Sequence, residues 1–148
     1  MENKGEGQIR PGVGVLIQNE KGEFLFGLRK GSFGEGQWAF PGGHIDFGET
    51  IIECAQRELK EELGIDFLKE DLAIICVFDE LSFIDSDNRH GVGIGLKARY
   101  SGQEIKLMEP EKCVEWKWFS KGNLPSPIYK SSERVLSNFL ENKIYHYE

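Results

Sequence analysis

Three glutamates within five residues, Glu58, Glu61 and Glu62, constrain this chain more than any other feature. They fall inside an apolar repeat, Ile51, Ala55, Leu59 and Leu63, whose four-residue spacing predicts a helix introduced by Gly48-Glu49-Thr50 and stopped at Gly64. Positions i, i+3 and i+4 share one helical face with Cβ atoms about 5 to 6 Å apart, so the three carboxylates repel one another. A solvated surface tolerates that crowding at small cost, whereas a divalent cation turns it into a binding site. Hard oxygen donors suit Mg²⁺, which one or two carboxylates hold together with substrate phosphates and retained waters. Ahead of the helix, Gly42 and Gly43 let the backbone turn closely, and Arg57 stands beside the glutamates two turns beyond Glu49.

Around that helix the chain reads as strands. Apolar runs at 12–18 and 23–29 flank the turn Asn19-Glu20-Lys21-Gly22 and predict a β-hairpin. The stretch 30–37 carries too many glycines for a strand interior and is expected to be a loop. Further strands are expected at 72–80, 90–100 and 113–119. A last helix is expected at 131–142, with Val135, Leu136, Phe139 and Leu140 as its buried face. This order of elements is α+β. At 148 residues the chain is expected to form one domain over 1–148, with 1–9 as a loose arm.

Composition removes several alternatives. Hydrophobic residues at 39% and charged residues at 29% describe an ordinary globular chain. No stretch approaches the roughly 20 apolar residues that span a bilayer, and the first residues lack the apolar run of a signal peptide, so a cytoplasmic location without a membrane partner is expected. A net charge of -7 disfavours polymeric nucleic acid as a partner. It leaves room for a small anionic substrate, because a bound cation reverses the local field. Cys54, Cys76 and Cys113 form no CxxC pair and are expected to be buried thiols.

Gly43, then five residues, Glu49, then seven residues, Arg57-Glu58, Leu59, Lys60, Glu61-Glu62, Leu63, Gly64 and Ile65 match the Nudix box at every specified position. With residue frequencies near 0.06, seven fixed positions in about 100 registers match by chance in roughly one sequence in several million. The chain is therefore identified as a member of the Nudix hydrolase family. The resemblance implies an α/β/α sandwich with a mixed β-sheet between helices, and Mg²⁺-dependent (or Mn²⁺-dependent) cleavage of a phosphoanhydride. It implies Glu58 and Glu62 as metal ligands, Glu61 as a ligand or general base, and the carbonyl of Gly43 in the metal shell. By the same resemblance Arg57 pairs with Glu49 and orients Glu58. A further carboxylate from outside the box is expected at Glu111, with Glu109 second. Cases of this family that have lost catalysis and act as nucleotide sensors usually lose box glutamates, and this chain keeps them.

The segments Arg10 to Val15, Arg29 to Ser32, Pro41 to His44, Phe47 to Glu49 and Glu109 to Cys113, with Trp116 and Trp118, resemble the MutT-like branch containing human MutT homologue 2. That resemblance implies hydrolysis of ordinary or oxidised nucleoside triphosphates to monophosphate and pyrophosphate, nucleotide pool sanitation, and a homodimer. The alternative is another nucleoside diphosphate derivative, such as ADP-ribose or a nucleotide sugar. Residues 78–84 hold neither the tyrosine of dinucleoside-polyphosphate hydrolases nor the proline of ADP-ribose hydrolases. Candidate substrate contacts are Arg29 and Lys30 for phosphates, Gly42 and His44 beside the box, and Phe40, Phe83, Trp116, Trp118 and Tyr129 for a base. The run His90-Gly91-Val92-Gly93 and the loop Ser126-Pro127-Ile128-Tyr129 depart from the branch.

Overall fold

The computed structural model describes residues 7–31 and 33–146. Strands β1 (Ile9–Gln18) and β2 (Phe24–Arg29) form the expected hairpin. Asn19 closes the turn, its Oδ1 accepting the N–H groups of Lys21 and Glu23, while Gly22 takes φ +78°. Two short strands follow, β3 (Trp38–Ala39) and β4 (Gly42–His44), then helix α1 (Ile51–Leu63) and strand β5 (Leu72–Glu80). A four-residue helix α2 (Ile84–Asp87), β6 (His90–Arg99), β7 (Cys113–Phe119), helix α3 (Lys130–Glu141) and β8 (Tyr145–His146) complete the order. Of the arm expected over 1–9, residues 1–6 lie outside the described residues, and Ile9 already belongs to β1.

All eight strands join one mixed sheet along the path β3-β2-β1-β6-β5-β8, with β4 on β1 and β7 on β2. The pairs β1–β6 and β5–β8 are parallel and the others antiparallel. β1 sits at the centre, running parallel to β6 from Ile9 opposite His90 to Gln18 opposite Arg99 while it also pairs with β4. Its period-two pattern serves both faces of the sheet. Val13, Val15 and Ile17 join Cys54, Ala55, Leu59 and Leu63 of α1 in one core. Leu16 joins Phe24, Phe26 and the α3 residues Val135 and Leu136 in the other. Two helices on opposite faces of a mixed sheet are the expected α/β/α sandwich.

Helix α1 begins and ends where its sequence dictates. Thr50 Oγ1 accepts the N–H of Glu53 at 3.1 Å and the Glu53 carboxylate returns the bond to Thr50 N–H, a reciprocal cap. Gly64 ends it in the left-handed conformation at φ +72°. Helix α3 differs from expectation on its buried face. Leu140 is 40% exposed, while Ser132, Arg134 and Asn138 are buried. The helix meets the sheet through a polar stripe as well as an apolar one, which hydropathy spacing does not reveal.

Glycine stands opposite glycine twice in the central pairing, Gly12 against Gly93 and Gly14 against Gly95. A Cβ at Gly93 would lie 2.1 Å from Phe78 Cζ, and one at Gly95 2.5 Å from Cys76 Sγ. These glycines admit side chains of β5 across their Cα atoms. No described helix is long and apolar enough to cross a membrane.

Candidate active site

The strand β4 and the face of α1 are fitted to each other at atomic contact. A Cβ on Gly42 would sit 2.0 Å from Val13 O, so that position accepts no side chain, and one on Gly43 would sit 2.3 Å from Glu58 Oε1, so a side chain there would displace the Glu58 carboxylate. Gly42 also donates its N–H to Glu62 Oε2 at 2.9 Å. The glycine pair thus lets the helix press its carboxylates against the strand.

Arg57 organises the outer half of the cluster. Its Nε donates to Glu49 Oε2 at 2.7 Å and its Nη2 to Glu49 Oε1 at 3.0 Å, a two-pronged pair. Nη2 also donates to the His44 carbonyl at 3.0 Å, and Nη1 reaches Glu58 Oε1 at 2.9 Å and Glu61 Oε2 at 3.3 Å. The Arg57 hydrogen bonds, followed by the Asp46 N–H, hold the Glu49 carboxyl down to about 2. Loop, helix and two box glutamates therefore share one guanidinium.

The inner half is short of positive charge. Burial pushes the pKa of Glu62 well above the carboxylate range, and the charges of Glu58 and Glu109 push it the same way against the Gly42 N–H. Burial also raises Glu58, against the pull of Arg57. Both carboxyl groups are thus pushed towards the neutral form, a bias that a cation held between them would reverse. Among the described residues no three acidic, histidine or cysteine groups already converge as a finished metal cage. Two crowded, desolvated carboxylates fit a Mg²⁺ or Mn²⁺ ion whose remaining ligands come from phosphates and water. Glu61, by contrast, is about half exposed.

Beside these groups lies a cavity of about 990 Å³, lined by Gly42, Gly43, Arg57 and the three glutamates at one end. Phe40 lines it, stacked on Phe26 with centroids 4.6 Å apart, as does His44, whose pKa is lowered by burial and by the guanidinium groups of Arg10 and Arg89. Arg29 also lines it, though its Nε and Nη2 already donate to the Phe33 carbonyl at 3.0 and 2.8 Å. Its guanidinium lies 4.4 Å from the centre of the Tyr129 ring.

Four expectations are corrected. Lys30 is exposed and off the cavity wall, its backbone N–H donating to Lys112 O. Glu111 is exposed, and the turn that carries it brings Glu109 to the cavity instead. In that turn the N–H groups of Lys112 and Cys113 both donate to Glu109 O, which fixes Glu109 at its start. Trp118 packs on Tyr100 with centroids 5.2 Å apart, and Trp116, two residues earlier on the same face, lines the cavity. Trp116 Nε1 is buried without a hydrogen-bond partner among the described residues. Cys54 and Cys76 are buried thiols as expected, but Cys113 is half-buried on the cavity wall.

Residues that sequence reasoning missed also stand on that wall, notably Arg10, Phe33, Glu80 and Arg89. No local motif marks them. They come from β1, the loop after β2, the end of β5 and the residue just before β6, which only the sheet order brings together.

Comparison with known proteins agrees with this geometry. The family model described as NUDIX domain matches residues 8–139. An RNA pyrophosphohydrolase of Acinetobacter baylyi is 31% identical over 127 residues, covering 76% of this chain and 74% of the relative. The NAD-capped RNA hydrolase NudC of Stutzerimonas stutzeri is 29% identical, covering 87% of this chain but only 43% of the relative. The crystal structure of a MutT NUDIX hydrolase from Burkholderia pseudomallei superposes with a TM-score of 0.80 at 29% identity, over 88% of this chain and 97% of that one. The MutT protein of Methanosarcina mazei gives 0.70 at 27% identity, over 90% and 97%.

Proposed function

The chain belongs to the Nudix family of phosphoanhydride hydrolases, and on that footing we propose that it hydrolyses nucleoside triphosphates, ordinary or oxidised, to nucleoside monophosphate and pyrophosphate with Mg²⁺. Mn²⁺ is the expected substitute. The observation that carries this reading is one cavity with two chemically different ends: crowded carboxylates at one, aromatic rings and arginines at the other. A triphosphate attached to a flat base has the same two ends.

The bound cation would neutralise phosphate charge and lower the pKa of water. Glu58 and Glu62 would hold it, with Glu109 facing the same space. Arg57 keeps Glu58 in place through Nη1 and is itself fixed by Glu49. Glu61, exposed at the cavity and within 3.3 Å of Arg57, is positioned to take the proton of the attacking water on its carboxylate. His44 lies next to the box on the cavity wall, while Arg29 and Arg89, over the rings of Tyr129 and Phe33, border the aromatic end. Water attack on phosphorus in line with the departing oxygen then releases pyrophosphate. A cytoplasmic homodimer engaged in nucleotide pool sanitation is part of the same proposal.

The triphosphate or capped 5′ end of RNA is the second reading, favoured by the names of the Acinetobacter and Stutzerimonas relatives. It needs the same chemistry at the phosphates but a track for the following nucleotides, which a net charge of -7 disfavours.

The test is turnover of purified protein with Mg²⁺ on nucleoside triphosphates, 5′-triphosphate RNA, ADP-ribose and nucleotide sugars, with products resolved by chromatography. Monophosphate plus pyrophosphate from free triphosphates at the highest kcat/KM supports the proposal. Preference for RNA ends or for ADP-ribose overturns it.

A further inference from the structure

At the end of the cavity away from the box stands a buried carboxylate that the phosphate chemistry does not use. Glu80, at the end of β5, is only 5% exposed and lies on the cavity wall. Its Oε2 accepts Arg134 Nε of α3 at 2.6 Å, and its Oε1 accepts the hydroxyl of Ser82. A buried ion pair contributes little net stability against a well-packed apolar replacement, because desolvation offsets the attraction. The pair therefore calls for a role beyond joining helix to sheet.

The surroundings suggest what that role is. Phe83 and Tyr129 lie nearly parallel, at 18° and 6.2 Å, with Phe33 edge-on to both at 4.8 and 6.1 Å. Together the three rings make an aromatic wall of the kind on which a base stacks. Burial chiefly raises the pKa of the Tyr129 phenol, the charges of Arg29 and Arg89 pull it down, and the charge of Glu80 raises it, so the carboxylate acts at the same wall. Arg134 and Ser82 fix its orientation while occupying one acceptor site on each oxygen, which leaves a second site on each. Two acceptors in one plane match two adjacent N–H donors. Among the common bases only guanine presents such a pair on its Watson–Crick edge, from N1–H and the 2-amino group. Adenine and cytosine offer one donor beside an acceptor, and uracil one donor between two acceptors.

Resting on the triphosphatase reading, we infer that Glu80, held by Arg134 and Ser82, reads the base edge of the substrate and selects guanine-type bases, including those modified away from that edge. Gly91 fits this placement. A Cβ there would lie 3.3 Å from Glu80 Cβ, so the strand beside the carboxylate carries no side chain to cover it.

The experiment compares kcat/KM of the wild-type protein on GTP, ITP, N1-methyl-GTP and ATP, and repeats the series with Glu80→Gln. Hydrogen bonds to a charged group predict a loss of about 10-fold for ITP, which lacks the 2-amino group, and of about 100-fold for N1-methyl-GTP. The variant should flatten the GTP-to-ITP ratio to within about threefold. Equal rates on GTP and ITP, a preference for ATP, or an unchanged ratio in Glu80→Gln overturns the inference. If the variant does not fold, the wild-type series decides alone. If no triphosphate is hydrolysed, the triphosphatase reading fails instead, and calorimetric binding of GMP against IMP still tests Glu80, equal affinities refuting it.

Discussion

The two prongs by which Arg57 grips Glu49, Nε to Oε2 at 2.7 Å and Nη2 to Oε1 at 3.0 Å, leave Nη1 directed at Glu58 and Glu61. One side chain therefore ties the loop before α1 to the carboxylates that would do the chemistry. A lysine has the charge but not the fork. Arg57→Lys is expected to lower kcat/KM about 10- to 100-fold, the usual cost of losing a group that orients a ligand, with little change in secondary structure. Steady-state kinetics and circular dichroism measure both, and activity within twofold of wild type would refute the positioning role.

The same pair predicts an acid limb of stability. Glu49 titrates at about 2 in the folded protein against an ordinary 4.5. Its contribution is thus complete above about 4.5 and is lost as pH falls towards 2. Urea unfolding between pH 6 and 2.5 should show this loss, and Glu49→Gln should reduce its slope. An unchanged slope in the variant would show that the pair does not form in solution.

Glu62 acts in the opposite sense. Its folded pKa is raised, so the metal-free protein should lose stability as pH rises from about 4.5 through that raised value. Glu62→Gln is expected to raise Tm of the metal-free protein by a few degrees at pH 8 and to abolish turnover. Adding Mg²⁺ should stabilise the wild type and leave the variant unaffected. A lower Tm for the variant at pH 8 would contradict the crowded-carboxylate account.

The glycine pair separates fold from function. Gly42→Ala places a methyl against the backbone of β1, 2.0 Å from Val13 O, and is expected to cost more than about 2 kcal/mol of stability. Gly43→Ala places it 2.3 Å from the end of the Glu58 side chain, which is able to move. That variant should fold and lose about 100-fold in kcat, as expected when a reacting group is displaced by an ångström. Thermal melts and kinetics on both variants distinguish the two kinds of clash.

What the sequence disclosed and what it concealed differ by range. The helix start after Gly48-Glu49-Thr50, the stop at Gly64 and the shared face of Glu58, Glu61 and Glu62 are set by neighbours within one or two turns, and all were legible. So was the Asn19–Gly22 turn, because an Asn side chain and a glycine with positive φ act locally. Strands β3, β4 and β8, of two or three residues, have too few positions to show a period. Glu109 rather than Glu111 meets the cavity because of a turn whose hydrogen bonds converge on Glu109 O, a detail that two alternating acids do not signal. Trp116 and Trp118 share a strand face, and only the distance along it decides which one reaches the cavity. Arg134 and Asn138 were hidden because buried polar residues look like surface ones in a hydropathy pattern.

The alternation of glycine through β1 and β6 has one more consequence. Gly12, Gly14, Gly91 and Gly93 all border the cavity, so part of its boundary is bare main chain. A Cβ at Gly93 would meet Phe78 and one at Gly91 would meet Glu80, so the two strands leave out atoms in order to seat those β5 side chains, and a single methyl added there would displace the wall itself.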